Sequence, residues 1–388
     1  MNHSLPPLLR AALPGITTPA YVADMAVLKR NLETADRIRK EAGCRVLLAL
    51  KAFAMPALFP LMREFLDGTT ASGLFEARLG REAFGREVHV YSPAYTEETL
   101  RKLVSISDHV YFNSADQVRR FLPVVRAAGK SKKIGIRINP GYSHATLGGN
   151  LYDPCSPCSR FGVTRPELDG LPWDEIDILH AHTLCESLAD GSTGLISHVA
   201  QEFAPYVRRV EAVNFGGGHF INKKWYDVVA LIAAVRDFRS AFGVDVILEP
   251  GSGIVVDAGY LVSTVLDVIH NEKDIAILDA SASCHMPDVL EVPYTPPLYG
   301  ASEPGIHPFT YILGGNTCMT GDLIGEYSFP EPLKPGDRVV FGDMLQYSFV
   351  KNNTFNGTAL PDLGLLREDG SYEVVHRFGY RDFRSRLG

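Results

Sequence analysis

Residues 45–53 read RVLLALKAF, five consecutive apolar residues, Val46–Leu50, that end on a lysine, Lys51. A short apolar run of this kind fits a strand buried on both faces. Seven similar runs follow: Gly68–Ser72, Glu87–Ser92, His109–Asn113, Lys133–Asn139, Asp177–Thr183, Ala212–Gly217 and Asp245–Pro250. Between them, Leu74–Phe84, Ala115–Ala128, Gly194–Val210 and Asp227–Phe242 carry apolar residues at three- and four-residue steps, the period of a helix with one buried face. Strands alternating with helices imply parallel pairing through right-handed crossovers. Eight such strands within about 210 residues predict a TIM (β/α)8 barrel rather than an open sheet.

After Gly253 the texture changes. Ile254–Ile269 and Asp274–Ala280 read as strands, Val289–Pro308 is rich in proline, and Pro335–Asp337 is a turn before the strand Arg338–Gly342. Strands without intervening helices predict an antiparallel C-terminal β-sandwich or β-barrel domain. The early strand at Ala20–Asp24 is assigned to it. The expected division is therefore 25–253 for the barrel, and 1–24 plus 254–388 for the β domain.

The 388 residues are 46% hydrophobic and 21% charged, which suits a large packed core. The net charge of −7, with no basic stripe, argues against nucleic acid and mildly favours a cationic substrate. Six cysteines are too few for a disulfide scaffold in a chain of this size. Cys155 and Cys158 form a CxxC pair in a loop stiffened by Pro154 and Pro157, with no second pair at zinc spacing, so no metal is expected. The start, MNHSLPPLLRAALPG, lacks the pattern of a signal peptide, and no run approaches the roughly 20 apolar residues of a membrane span. A cytoplasmic protein is expected.

In a barrel of this type the active site is built at the C-terminal ends of the strands. Lys51 stands at such an end. It is either a strand-end lysine reaching into water or a desolvated amine, neutral and nucleophilic toward an aldehyde. The seventh run ends in NFGGGHF, Asn214–Phe220, whose three glycines form either a tight turn or a surface that a phosphate can approach. Glu249 ends the eighth run, either solvated or placed to hold a proton on a pyridine nitrogen. His180 and His182 share one face of the sixth strand. One of them stacking on a flat ring fits better than a metal pair, since no carboxylate-rich motif accompanies them.

These motifs resemble the alanine-racemase-fold (fold type III) decarboxylases, a family with a pyridoxal 5'-phosphate barrel and a β domain. The similarity runs in order from TPAYVAD at Thr18–Asp24 to TFNG at Thr354–Gly357. The resemblance implies that Lys51 of ALKAF holds the cofactor covalently and that His182 stacks on its ring. It implies that Gly216, Gly217 and Gly218 bind the phosphate, that Glu249 of EPG meets the pyridine nitrogen, that Arg137 of RINP lies near the cofactor, and that Tyr347 reaches the phosphate. It further implies a homodimer with shared active sites, in which GGNTCMTGD contributes Cys318 as proton donor and Asp322 as receptor for a distal ammonium of the substrate.

HTLCES at His182–Ser187, SASCHMPD at Ser281–Asp288 and TCMTGD at Thr317–Asp322 are most similar to the carboxynorspermidine decarboxylase branch. That branch implies decarboxylation of carboxynorspermidine or carboxyspermidine in polyamine synthesis. Asp288, Glu291 and Asp322 are candidate carboxylates for substrate amines. Other readings within the fold are a decarboxylase for diaminopimelate, ornithine or arginine, a racemase, or a non-catalytic cofactor-binding regulator. Ornithine and diaminopimelate enzymes carry an acidic residue directly after the cysteine, where Met319 stands here, and commonly an arginine after EPG, where Ser252 stands.

Overall fold

The computed structural model describes residues 4–129, 131–144 and 152–388. Residues 1–3 of the amino-terminal stretch lie outside the described residues. The chain divides into two compact units, residues 30–254 and residues 1–29 with 255–388.

The first strand of the second unit is β1 (Ala20–Asp24), and the first unit holds a closed ring of strands. In chain order these are β2 (Arg45–Ala49), β3 (Gly68–Ala71), β4 (Glu87–Tyr91), β5 (His109–Phe112) and β6 (Lys133–Asn139). A two-residue strand, β7 (Val163–Thr164), pairs only with the end of β6. The ring continues with β8 (Ile178–His180), β9 (Ala212–Asn214) and β10 (Asp245–Leu248). Every pairing is parallel, and β10 closes on β2. The eight-stranded barrel expected from the alternating runs is therefore present.

Side chains alternate between the barrel interior and the surrounding helices. Leu47, Tyr111, Ile178, Ala212 and Ile247 form one interior cluster. Tyr111 fits there because Gly135 faces it: a Cβ at Gly135 would lie 2.1 Å from the tyrosine ring. Helices cover the outside, among them Met25–Ala42, Ala115–Ala127 and Val228–Phe242. Ser114 and Asp227 cap the last two by accepting a hydrogen bond from a first-turn N–H.

The other unit is a mixed sheet. After β11 (Gly259–Asn271) come β12 (Lys273–Leu278), β13 (Phe309–Gly314), β14 (Leu323–Phe329), β15 (Arg338–Gly342), β16 (Asp362–Leu366) and β17 (Tyr372–His376). Their order is β14-β13-β12-β11-β1-β16-β17, with β15 also on β11. The amino-terminal strand β1 lies between β11 and β16, inside this sheet.

Two sequence expectations are corrected here. The sheet is not purely antiparallel, because β1 runs parallel to β16 and β12 parallel to β13. The long excursions between those partners let the chain return in the same direction. The strand expected from Ile254 starts only at Gly259, after a single helical turn at Ser252–Val255. Ile254, Val255 and Val256 are buried, and a buried turn is as apolar as a buried strand, so hydrophobicity does not separate them.

Candidate active site

The barrel gathers its distinctive residues at the C-terminal strand ends. Lys51 lies two residues past β2, Arg137 is within β6, His180 ends β8, and His182 follows two residues on. The glycine run 216–218 follows β9, and Glu249 is the first residue past β10.

The Lys51 side chain is accessible to water. The surrounding walls still desolvate it, and burial together with the Arg137 guanidinium lowers its pKa, against the opposing pull of Glu249. The favoured species is shifted toward the neutral amine. Of the two readings open from the sequence, the nucleophile has the support of this environment.

Arg137 is buried and donates to the His182 carbonyl at 2.7 Å. Its guanidinium lies over the Tyr91 ring at 4.7 Å and the Phe161 ring at 4.4 Å. Arg137 thus sets the backbone of the segment that carries His182.

His182 is half-buried, and burial, Lys51 and Arg137 hold its pKa well below the usual histidine value. It is neutral, and its Nδ1 accepts the Gly217 N–H at 3.2 Å, which leaves the proton on Nε2. A Cβ at Gly216 would lie 2.5 Å from His182, and one at Gly218 would lie 2.2 Å from the Leu184 carbonyl. Both glycines have positive φ, 67° and 86°, a region that disfavours side chains. The run is therefore bare by necessity on two counts.

Glu249 is buried at 3% exposure. Burial pushes its carboxyl up, and the hydrogen bond and charge attraction of His180 together with the hydrogen bond from Asn214 outweigh this and hold it below the ordinary carboxylate value. Asn214 donates to it at 2.7 Å, and His180 Nε2 lies 3.5 Å away. Ligand atoms of His180, His182 and Glu249 lie within 4.8 Å of one another, but Gly217 already engages His182 and Asn214 engages Glu249.

Pyridoxal phosphate fits these residues. The cradle at 216–218 has no room for side chains, the amine at Lys51 is reachable and depressed in pKa, and an ionised carboxylate sits in the barrel wall. The Gly216 N–H is bonded to Asn214 Oδ1 at 2.8 Å and the Gly217 N–H to His182, so these two glycines offer a phosphate their bare surface.

The remaining candidates belong to the sheet unit. Cys318 is exposed, and its N–H donates to Asn356 Oδ1 at 2.7 Å. Asn356 itself has φ 58°, and Tyr347 φ 49°, both in the left-handed region. Asp322 is only 3% exposed and points into its own loop. It accepts from Thr317 Oγ1 at 2.6 Å, Ser281 Oγ at 2.9 Å and the Ser283 N–H at 3.2 Å. Asp288 and Glu291 both pair with Lys351. The three carboxylates read as substrate receptors thus have partners within this unit, and Asp322 ties the Cys318 loop to Ser281 and Ser283.

Cys155 is partly buried, which pushes its thiol up to about 11, and Cys158 is exposed with φ 63°. Neither is disulfide-bonded.

Asn214, Tyr111 and His89 carry structure that the sequence reading did not single out. Their signal was parity within each strand: Asn214 shares the inward parity of Ala212 in β9, and His89 and Tyr111 occupy alternate, inward positions of β4 and β5.

The chain matches the model of the pyridoxal-dependent decarboxylase family, C-terminal sheet domain, over residues 20–344. It is 39% identical to a carboxynorspermidine/carboxyspermidine decarboxylase of Campylobacter jejuni, covering 96% of this chain and 98% of the relative. It is 40% identical to a carboxyaminopropylagmatine decarboxylase of Synechocystis, covering 97% of each. The crystal structure of the carboxynorspermidine decarboxylase of C. jejuni complexed with norspermidine superposes with a TM-score of 0.88 at 38% identity, over 96% of this chain and 100% of that one. Among the described residues, no helix is long and apolar enough to cross a membrane.

Proposed function

This chain belongs to the pyridoxal-dependent decarboxylase family, and we propose that it decarboxylates carboxynorspermidine or carboxyspermidine to norspermidine or spermidine, as a cytoplasmic homodimer in polyamine synthesis. The observation that carries this reading is the 38% identity and near-complete overlap with an enzyme crystallised with norspermidine. The acidic balance of the chain suits a substrate with amines beyond its α-carbon.

Bound pyridoxal phosphate supplies an electron sink for the pair left when CO₂ departs. The protein's part is binding, orientation and proton control. Lys51 holds the cofactor through its amine. His182 would lie against the ring, its orientation set by Gly217 and by the Arg137 bond to its carbonyl. Glu249 would keep the ring nitrogen protonated, and Gly216, Gly217 and Gly218 with Tyr347 would take the phosphate. Cys318, acting in the site of a second copy, returns a proton to the former α-carbon. Asp322 contributes to substrate binding by holding the Cys318 loop in shape, a role its inward hydrogen bonds support better than direct contact with an ammonium.

A second reading rests on the Synechocystis relative, which is equally similar. Its substrate ends in a guanidinium where the triamines end in an ammonium. CO₂ release from purified holoenzyme decides between them, with carboxynorspermidine, carboxyspermidine, carboxyaminopropylagmatine, diaminopimelate, ornithine and arginine run in parallel beside Lys51→Ala. Release from the carboxylated triamines, lost with Lys51, is expected. Release from the guanidino substrate alone replaces the substrate assignment, and no release from any of them sinks the decarboxylase reading.

A further inference from the structure

Glu249 stands at the top of a continuous line of hydrogen bonds that descends through the barrel interior. Asn214 Nδ2 donates to Glu249 Oε1 at 2.7 Å and to the Tyr111 hydroxyl at 3.0 Å. The Tyr111 hydroxyl lies 3.1 Å from His89 Nδ1. His89 Nε2 lies 3.2 Å from Glu87 Oε2, and Arg45 Nη1 donates to that same oxygen at 3.3 Å. Arg45 and Glu87 are the first residues of β2 and β4, so the line runs from one end of the barrel to the other.

The direction of every bond follows from one fixed point. Gly216 N–H is a donor only, and it bonds Asn214 Oδ1 at 2.8 Å, which settles which end of the amide is oxygen. Both remaining amide hydrogens then point at Glu249 and Tyr111. The Tyr111 oxygen accepts, so its own hydrogen goes to His89 Nδ1. That nitrogen is bare, His89 carries its proton on Nε2, and Nε2 donates to Glu87. Each donor in the line meets an acceptor. The line is also wedged in place, because His109 stacks on His89 at 3.8 Å with planes 20° apart, and Gly135 leaves the gap that Tyr111 fills.

We propose that Asn214, Tyr111 and His89 are positioning residues that hold the Glu249 carboxylate in orientation and charge from beneath, so that the closed end of the barrel acts on the cofactor's ring nitrogen. The proposal rests on the reading of Glu249 given above. Ligand atoms of Glu87, His89 and His109 also lie within 4.8 Å of one another, as a metal site would require. Arg45 at 3.3 Å puts a cation on the carboxylate that such a metal would need, and the bond from Tyr111 to His89 makes sense without one.

A purely structural Tyr111 would act on stability and would add to any other change. A positioning Tyr111 acts through Glu249, so its effect depends on that carboxylate being present. The test is a double-mutant cycle of Tyr111→Phe and Glu249→Gln on holoenzyme, reading kcat, KM and the visible absorption of the bound cofactor against pH. Tyr111→Phe strands an Asn214 N–H, and about a tenfold loss in kcat with unchanged KM is expected, together with a shifted absorption profile. In the Glu249→Gln background the same change should cost less than about twofold. Equal losses in both backgrounds, or an effect of Glu249→Gln with none of Tyr111→Phe, overturn the proposal alone. No effect of Glu249→Gln on kcat or spectrum overturns the Glu249 reading and the proposal with it. If Tyr111→Phe does not fold, nitrogen NMR of histidine-labelled unaltered holoenzyme answers the question: His89 with its proton on Nε2 is expected, and a proton on Nδ1 overturns the line.

Discussion

Gly217 donates its backbone N–H to Nδ1 of His182 at 3.2 Å, so a glycine in one βα loop sets the tautomer and the tilt of a histidine in the preceding one. The neighbouring Gly216 leaves the space that the ring needs. Gly216→Ala places a Cβ 2.5 Å from His182 at φ 67°, and the ring or the loop must move. The expected result is about 1–3 kcal/mol of lost stability and a weaker hold on the cofactor. Thermal unfolding and pyridoxal phosphate titration of the variant check both, and unchanged affinity would show that the ring does not depend on this contact.

Lys51 is desolvated and lies near Arg137, and its pKa is depressed. For such a lysine the unfolded chain binds more protons than the fold between the lowered value and the ordinary one near 10.4, so stability rises with pH through that window. Cofactor-free Lys51→Met is therefore expected to be more stable than the unaltered apoprotein at neutral pH, with the difference shrinking as pH rises. Urea unfolding of the two apoproteins measures this, and a difference independent of pH contradicts it.

Cys318 and Asn356 are joined by a bond from the cysteine N–H to the asparagine side chain at 2.7 Å. Cys318→Ala is expected to lower decarboxylation about a hundredfold while the absorption of bound cofactor stays the same, since only proton return is lost. Asn356→Gly keeps the left-handed backbone and removes the bond, so a smaller loss in kcat and faster labelling of Cys318 by thiol reagents should follow. Full activity in Cys318→Ala would remove the cysteine from the chemistry.

His219 and His285 are buried in different units, and burial pushes each down to about 4. His219 Nδ1 lies 2.9 Å from Ser192 Oγ, and His285 accepts the Ser281 N–H at 3.1 Å. Both must stay neutral in the fold, while in the unfolded chain they protonate near 6.5. Stability is thus complete above that value and falls as pH drops toward 4, by about 3 kcal/mol for each histidine. Denaturation across this range should show an acid limb that flattens in the His219→Gln and His285→Gln double variant.

Much of the barrel was legible in the chain because its signals are local. A run such as Val46–Leu50 has to be buried on both faces, and a helix with one apolar stripe has to cover it. Lys51, His182 and Glu249 stood out because each is polar at the end of such a run. The return of the chain in parallel at β1–β16 and β12–β13 was not legible, since pairing direction depends on how distant segments meet. Nor was the inward turn of Asp322, because a loop aspartate reads the same whether its acceptors face Thr317 and Ser281 or a ligand.

The sequence by itself determined the alternation of strands and helices, the end of the barrel where chemistry belongs, and the residue types at its rim, because apolar period and strand ends are written in neighbouring residues. Only the tertiary structure decided that Asn214 would join Glu249 to Tyr111, and Tyr111 to His89. Those side chains come from strands separated by more than a hundred residues at the widest, and closing the ring removes them from water and leaves each the other's hydrogen-bond partner.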